Sequence, residues 1–207
     1  MEDVLTEYAK PYDPTHPRVC LDESPKQLIS ERHASFTDAH GVEPIDYEYC
    51  REGTVDLYMI VEPLGGRREV VVKEHHTRLD DAHVLAHIVE DMYPTAARVT
   101  IIQDNLSAHK KSALYEVFEP ARARAILEKV EFVFTPKHGS WLNVAECELS
   151  VLTRQGLKDR VATKEAVIEQ VTAWYAARNE HSTSVDWQFT TKDARIKLKR
   201  LYPSIKP

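Results

Sequence analysis

The chain has 207 residues, of which 43% are hydrophobic and 29% charged, and its formal net charge is −6. This length and composition are typical of one large globular domain, or one domain with appendages, so we expect disorder only at the ends of the chain. It contains no run of about 18 apolar residues, no apolar secretory segment and no CxxC pair among its three cysteines, so we expect a cytoplasmic protein without a membrane span, zinc knuckle or disulfide framework.

The first half of the chain predicts a strand, a hairpin and a helix. "RVCLDE" (18–23) follows a breaker-rich stretch and has the pattern of a buried strand that ends in acids. "TVDLYMIVEP" (54–63) and "EVVVKEH" (69–75) flank the turn "LGGRR" and predict a hairpin. Residues 80–94 carry apolar side chains at helical spacing, with Asp80 or Asp81 as the expected cap.

The second half alternates strands and helices. "RVTIIQDN" (98–105) predicts another buried strand that ends in an acid, and a helix over 112–130 should break at Pro120. The remaining predictions are a strand at 131–136 and helices at 143–155, at 163–179 and within 190–201.

This order predicts an α/β fold in which helices flank a mixed sheet, with an early antiparallel hairpin and then parallel strands. Functional sites in such sheets gather at the carboxyl ends of the strands. Asp22 and Asp104 each end a predicted strand, and the strand at 131–136 leads into the loop before Glu146. These three acids are therefore candidates for one site.

Three converging carboxylates repel one another unless cations neutralise them. Oxygen ligands without a Cys or His set favour Mg²⁺ or Mn²⁺. Two such ions about 4 Å apart can activate a water or a 3′-hydroxyl and stabilise the leaving oxygen in phosphodiester cleavage and transfer.

Each acid also has a plainer interpretation. Asp22 and Asp104 could be ordinary strand-end or turn residues, and Glu146 could form a capping box with Asn143. Glu23 and Glu148 are rival carboxylates. A helical wheel predicts an apolar stripe through Val144, Cys147, Val151 and Leu152. It places Glu146 and Glu148 on different faces but does not choose between them.

The charge is distributed unevenly. Residues 185–207 carry six basic and two acidic side chains, a net of +4, which leaves −10 on the rest of the chain. A basic tail on an acidic body is compatible with phosphate contact, although most such tails are solvated helix faces.

Long segments of the sequence resemble the transposases of bacterial insertion sequences in the mariner-related group. The similarity runs from about Met1 to Pro203, and its most specific motifs are "DNLSAH" and "TPKHGSWLN-x-AE". The resemblance implies a DDE endonuclease domain of ribonuclease-H-like fold. Residues 1–17 would then be a connector, residues 18–180 the catalytic domain, and residues 181–207 a basic helix and tail packed on it.

The resemblance also assigns roles to residues. The family's three catalytic acids match Asp22 in "LDES", Asp104 in "QDN" and Glu146 in "NVAE". They would hold two Mg²⁺ or Mn²⁺ ions for hydrolysis at transposon ends, followed by attack of the freed 3′-hydroxyl on target DNA. Glu146 is thereby preferred over Glu148, which would keep a surface or supporting role.

Other residues near these motifs are candidates for supporting the site or binding DNA. Asn105, His109 and His138 are site-supporting candidates, although a turn role for Asn105 and loop packing for His138 are equally good interpretations. Trp141 is most simply a core anchor. The candidate phosphate contacts are Lys137, Arg154, Arg195, Lys197, Lys199 and Arg200.

Complete members of this group carry helix-turn-helix modules ahead of the catalytic domain, and the sequence has no match to them. We therefore expect a separately encoded helix-turn-helix half or a truncated product, with a homodimer joining two DNA ends. The alternatives are a non-catalytic remnant that only binds DNA or oligomerises, and a nuclease without strand transfer.

Overall fold

The computed structural model describes residues 1–32, 48–104 and 111–202. The strands of this part of the chain are β1 (Arg18–Glu31), β2 (Tyr49–Glu62), β3 (Arg67–Lys73), β4 (Val99–Gln103) and β5 (Val130–Phe134). They form one sheet in the order β3–β2–β1–β4–β5. The β1–β2 and β2–β3 pairs are antiparallel, while β1–β4 and β4–β5 are parallel. The predicted mixed sheet is confirmed.

Seven α-helices accompany the sheet in the described residues: α1 (Glu2–Tyr8), α2 (Arg78–His87), α3 (Ala113–Val117), α4 (Pro120–Lys129), α5 (Val144–Gln155), α6 (Lys164–Glu180) and α7 (Thr191–Lys197). The predicted break at Pro120 is confirmed, because this proline is the first residue of α4, where its missing N–H costs nothing. None of these helices combines the length and apolar character needed to cross a membrane.

The predicted start of α2 was wrong by a few residues. Thr77 is the cap, and its side chain and that of Asp80 exchange hydrogen bonds with each other's backbone in a capping box. The acid at position 80 therefore belongs to the third helical residue and is not the cap.

The first two strands are longer than predicted. β1 continues past residue 23 to Glu31, where it pairs with Tyr49 of β2, and the register shifts between Leu28 and Ile29. In the described part of the chain, pairing of β1 with β4 covers Arg18–Cys20, so Pro25 lies beyond this pairing and its missing N–H interrupts none of these ladder bonds. Proline and exposed polar residues hide this outer part of the hairpin from the sequence pattern.

Side chains of β1 alternate between two hydrophobic cores, one on each face of the sheet. Cys20 belongs to the core that contains α1, α5 and α6. Val19 and Leu21 belong to the core that contains α2, α3 and α4. The same alternation puts Asp22 on the α5 face and Glu23 on the α2 face.

The segment predicted as a connector contributes to the first core. Val4, Leu5 and Tyr8 of α1 are 0%, 2% and 7% exposed. α7 packs beside α1, and Arg195 forms a two-bond ion pair with Glu2. Both ends of the described chain therefore meet on the α5 face of the sheet.

Candidate active site

The sheet register brings Asp22 and Asp104 to the same level. Cys20 of β1 is paired with Ile102 of the parallel strand β4. Asp22 lies two residues after Cys20, and Asp104 lies two residues after Ile102. Because side chains two residues apart point to the same face, both acids belong to the face that carries α5.

The surroundings of Asp22 are acidic. The pKa of this carboxyl is raised to about 7, chiefly by burial and in addition by the negative charges of Glu23, Asp104 and Glu146. The backbone N–H of Glu23 donates to Asp22 Oδ1 over 3.0 Å, which opposes the shift. The described side chains whose charge acts most on Asp22 are thus carboxylates, and they include both of its predicted partners.

Asn143 fixes the start of the helix that carries Glu146. Its Oδ1 accepts from the Ala145 N–H at 3.1 Å, so it caps α5. Its Nδ2 donates to the Leu21 carbonyl at 2.8 Å, one residue before Asp22. Asn143 is 1% exposed, and it ties the helix directly to the strand. The capping box with Glu146 is not formed among the described hydrogen bonds.

Glu146 is exposed and faces a cavity that Asp22 also lines. This acidic cavity has a volume of about 350 Å³ and is bordered by Asp22, Glu23, Ser24, Ser140, Glu146, Leu149, Ser150 and Thr153. Its polar lining consists of carboxylates and hydroxyls, and its size is within the range of ligand sites. Two of the three predicted acids therefore share one cavity, and Asp104 is coupled to it by charge.

Glu148 lies on the other side of α5, and of the surface or supporting role predicted for it the surface role was wrong. This residue is 4% exposed. It forms ion pairs with Arg68 of β3 at 3.1 Å and with Arg178 of α6 at 3.0 Å. We call these three residues the Glu148 ion cluster. Because both carboxylate oxygens face guanidinium groups, Glu148 is committed to holding α5 on the sheet.

The buried face of α5 also differs from the predicted stripe. It consists of Val144, Ala145, Glu148, Leu149 and Leu152, whereas Cys147 is exposed. The wheel failed because a buried, paired glutamate occupies a position that hydrophobicity alone assigns to the surface.

Tyr8 supports the junction before α5, a contact that the sequence analysis missed. Its hydroxyl donates to the Leu142 carbonyl at 2.7 Å and accepts from the Val144 N–H at 3.3 Å. The hydroxyl also lies 3.2 Å from Cys20 Sγ. The spacing of the apolar residues Val4, Leu5 and Tyr8 could have predicted a packed helix. The neighbouring sequence does not, however, identify the hydrogen-bond partners of the Tyr8 hydroxyl.

Trp141 is not the predicted core anchor. It lies in the short 3-10 turn Ser140–Leu142 and is 40% exposed, while Leu142 beside it is fully buried. Its ring contacts Phe189 edge to face, with 5.9 Å between the ring centroids.

Glu23, the rival to Asp22, borders the acidic cavity, but its carboxylate is directed to the α2 face of the sheet. It lies 3.1 Å from His76 Nε2, which in turn is 3.8 Å from Asp81 Oδ1. Tyr58 donates its hydroxyl to the same Asp81 oxygen at 2.9 Å. Glu23 thus belongs to a buried polar cluster on the α2 face of the sheet, although its charge reaches Asp22.

The predicted supporting and DNA-binding residues occupy different surroundings. Lys137 and His138 are exposed in the turn after β5, and His138 has a positive φ of 61°. Arg154 donates its Nε–H to the carbonyl of Ser150, a cavity residue, at 3.1 Å. Asn105 and His109 lie outside the described residues.

The basic residues near the C-terminus are exposed but not equivalent. Arg195 is paired with Glu2, which lowers the pKa of that carboxyl to about 2. Lys197 Nζ lies 5.7 Å from the Phe189 ring centroid. Lys199 and Arg200 are exposed in the turn after α7.

In residues 1–32, 48–104 and 111–202, no three His, Cys, Asp or Glu side chains lie close enough together to hold a metal ion. The donor chemistry nevertheless fits Mg²⁺ or Mn²⁺. The partly buried Asp22 carboxyl shares its cavity with another carboxylate and with hydroxyl residues, and burial together with neighbouring negative charge raises its pKa, which a bound cation would offset.

The model of the DDE superfamily endonuclease family matches residues 17–168, nearly three quarters of the chain. None of the curated protein sequences matches.

Three similar solved structures are complexes of the Mos1 transposase. A paired-end complex of Mos1 mariner with Mn has a TM-score of 0.57 at 19% identity. A paired-end complex with the left transposon end and a strand transfer complex have TM-scores of 0.56 and 0.55, each at 18% identity. In every case the match covers 88% of this chain and 54% of the other, so this chain spans about half the length of those proteins. The fold is the ribonuclease-H-like fold of the Mos1 transposase.

Proposed function

The chain belongs to the DDE superfamily endonuclease family, and from that premise we propose that it contains the catalytic domain of a DDE transposase. It would cleave DNA at transposon ends and transfer the freed 3′-hydroxyl into target DNA. The observation that best supports this proposal is the electrostatic coupling of Asp22 to both Asp104 and Glu146 beside one cavity.

In this proposal Asp22, Asp104 and Glu146 hold two Mg²⁺ or Mn²⁺ ions. When bound, such ions activate a water or 3′-hydroxyl and stabilise the leaving oxygen. Because ligands must be deprotonated to bind a cation, the raised pKa of Asp22 makes ion binding depend on pH near neutrality.

The other residues of the cavity would position the DNA strand. Ser140 and Ser150 line the cavity and would donate their hydroxyls to phosphate oxygens, whereas Thr153 donates its hydroxyl to the Leu149 carbonyl at 2.9 Å. Asn143 keeps Glu146 at a fixed position relative to Asp22 through its bond to the Leu21 carbonyl. Lys137 and Arg154 would bind flanking phosphates, with Lys197, Lys199 and Arg200 adding affinity that does not depend on sequence.

The Mos1 structures are paired-end and strand transfer complexes, and we extend the proposal accordingly. The partners of this chain would be transposon ends and target DNA, bound by a homodimer because two ends must be joined. Recognition of the terminal repeats is assigned to helix-turn-helix modules.

The decisive test is cleavage of supercoiled and end-bearing DNA by the full chain with Mg²⁺ or Mn²⁺. We expect nicking and linear products from the wild type and none from Asp104→Ala. Glu128→Gln is the matched control, because Glu128 is an exposed acid paired only along its own helix with Arg124. Cleavage that is absent, or equal in wild type and Asp104→Ala, would contradict the proposal.

The alternative function is a non-catalytic remnant that binds DNA or oligomerises. The observation that favours it is that the described acids are not gathered closely enough to ligate an ion. The wild-type protein would then bind DNA but cleave none, and titration calorimetry would show no heat of binding for Mg²⁺ or Mn²⁺. This result would support the non-catalytic remnant. Cleavage without joining of 3′-ends to target DNA would instead indicate a nuclease.

A further inference from the structure

Trp141 differs from the other two tryptophans of the chain. Trp174 and Trp187 donate their indole N–H groups to Gln155 Oε1 and to the Phe189 carbonyl, respectively. Within the described residues the Trp141 indole N–H donates to no protein group, in contrast to the indoles of Trp174 and Trp187. Trp141 is therefore held neither by burial nor by a hydrogen bond.

The backbone under Trp141 is nevertheless fixed. Leu142 is fully buried and its carbonyl accepts from Tyr8, while Asn143 is bonded to the Leu21 carbonyl. An exposed indole on a rigid turn pays little conformational entropy when it binds a flat ligand.

The position of Trp141 connects it to the acidic cavity. Ser140, the preceding residue, lines that cavity together with Asp22 and Glu146. Consecutive Cα atoms are about 3.8 Å apart, so the indole begins one residue from the cavity lining, beside the place that a nucleotide bound there would occupy.

Phe189 and Lys197 complete the surface around Trp141. Phe189 supports the indole edge to face at 67° between the ring planes, and Lys197 Nζ lies 5.7 Å from the centre of the Phe189 ring. Aromatic rings interleaved with cations are the surface on which unpaired bases stack while their phosphates are neutralised.

We propose that Trp141, supported by Phe189 and Lys197, is a stacking site for an unpaired base of the DNA strand whose phosphate lies in the acidic cavity. The identification of the strand rests on the proposed function, whereas the stacking itself requires only that DNA binds. The ligand is a base with an exposed face, as occurs at a strand end or beside a nick, and stacking on one ring is tolerant of base identity.

The test uses duplexes with a short 3′ overhang that carries a fluorescent adenine analogue, whose emission falls when the base stacks. Binding is measured with Ca²⁺ in place of Mg²⁺, so that cleavage does not interfere. We expect strong quenching by the wild type, loss of quenching by Trp141→Leu, and recovery by Trp141→Phe. Affinity for the overhang should fall about ten-fold in Trp141→Leu, with little change for a fully paired duplex.

Tyr115→Leu is the matched control. Tyr115 is 45% exposed, but its helix, α3, packs in the core on the opposite face of the sheet. This variant should quench and bind as the wild type does, and circular dichroism should show both leucine variants folded.

The outcomes separate this inference from the proposed function. If quenching depends on Trp141 but the protein does not cleave DNA, the stacking site would be supported and the proposed transposase function would be contradicted. Equal quenching and overhang affinity in wild type and Trp141→Leu would overturn the stacking site, even if both proteins cleave. A change in self-association alone would also overturn it, since the surface would then bind a second copy of the chain.

Discussion

The acidic cavity and the Glu148 ion cluster border the same helix but compensate negative charge in opposite ways. Glu148 is 4% exposed and faces Arg68 and Arg178. Asp22 is partly buried, and the neighbouring charges that raise its pKa are those of other carboxylates. The fold therefore neutralises one carboxylate with its own arginines and concentrates negative charge around the other. A carboxylate of the second kind is suited to bind a cation or a proton.

The largest effect on stability is expected at the Glu148 ion cluster. Glu148→Ala leaves the fully buried Arg68 side chain without its anion, so the free energy of unfolding should fall by about 3–5 kcal/mol. Urea denaturation of the purified protein measures this change. Glu146→Ala is the matched control on the same helix, and because Glu146 is exposed its change should stay within about 0.5 kcal/mol. Equal losses of unfolding free energy in Glu148→Ala and Glu146→Ala would show that the two regions do not differ in how they stabilise the fold.

An effect of similar order but opposite sign is expected at Asp22, where substitution should raise the free energy of unfolding at high pH. The folded pKa of about 7 exceeds the ordinary value of 3.8, so the folded state binds more protons between these values. Without divalent ions, the free energy of unfolding should fall as pH rises from about 4 to about 7, by a few kcal/mol at about 1.4 kcal/mol per pKa unit. The Asp22→Asn variant should lose this component and be more stable than the wild type at pH about 8.

Urea denaturation across this pH range in EDTA tests the Asp22 prediction. Adding Mg²⁺ at high pH should restore stability to the wild type but much less to Asp22→Asn, because binding to the folded state shifts the equilibrium. Parallel pH profiles for the two proteins would show that Asp22 is not held in an unfavourable acidic environment.

Substitution of Asn143 is expected to change the free energy of unfolding least. Its effect on DNA cleavage should be larger than this loss of stability alone would cause. Asn143→Ala removes a helix cap, which costs about 1–2 kcal/mol, and also removes the bond between α5 and the strand that carries Asp22. DNA cleavage should therefore fall by more than the unfolded fraction explains.

Thr163→Ala is the matched control for Asn143→Ala, because Thr163 caps α6 through the Ala166 N–H and is not among the residues that line the acidic cavity. It should lose similar stability and keep cleavage per folded molecule. Asn143→Asp sharpens the comparison, since it keeps the cap acceptor and loses the donor to the Leu21 carbonyl. Equal cleavage in all three variants would exclude a positioning role for Asn143.

The sequence predicted well wherever local pattern dominates. The order of strands and helices, the break at Pro120 and the mixed sheet follow from hydrophobic periodicity and breaker residues. The outer part of the β1–β2 hairpin was not predicted, because Pro25 and its polar neighbours do not show the alternating apolar pattern of a strand. Pairing between strands, not side-chain hydrophobicity, creates that segment.

For the candidate site, the sequence alone identified acids at strand ends, and the family motifs selected Asp22, Asp104 and Glu146 among them; their catalytic roles stay predictions. Only the tertiary structure decided how each charge is compensated. Glu148 is paired by arginines on β3 and α6, and the start of α5 is fixed by Tyr8 from α1. These partners are distant along the chain, and local periodicity carries no information about which distant side chains meet. Electrostatic energy depends on those distances, so the fold determines which carboxylate is buried and paired and which faces the cavity.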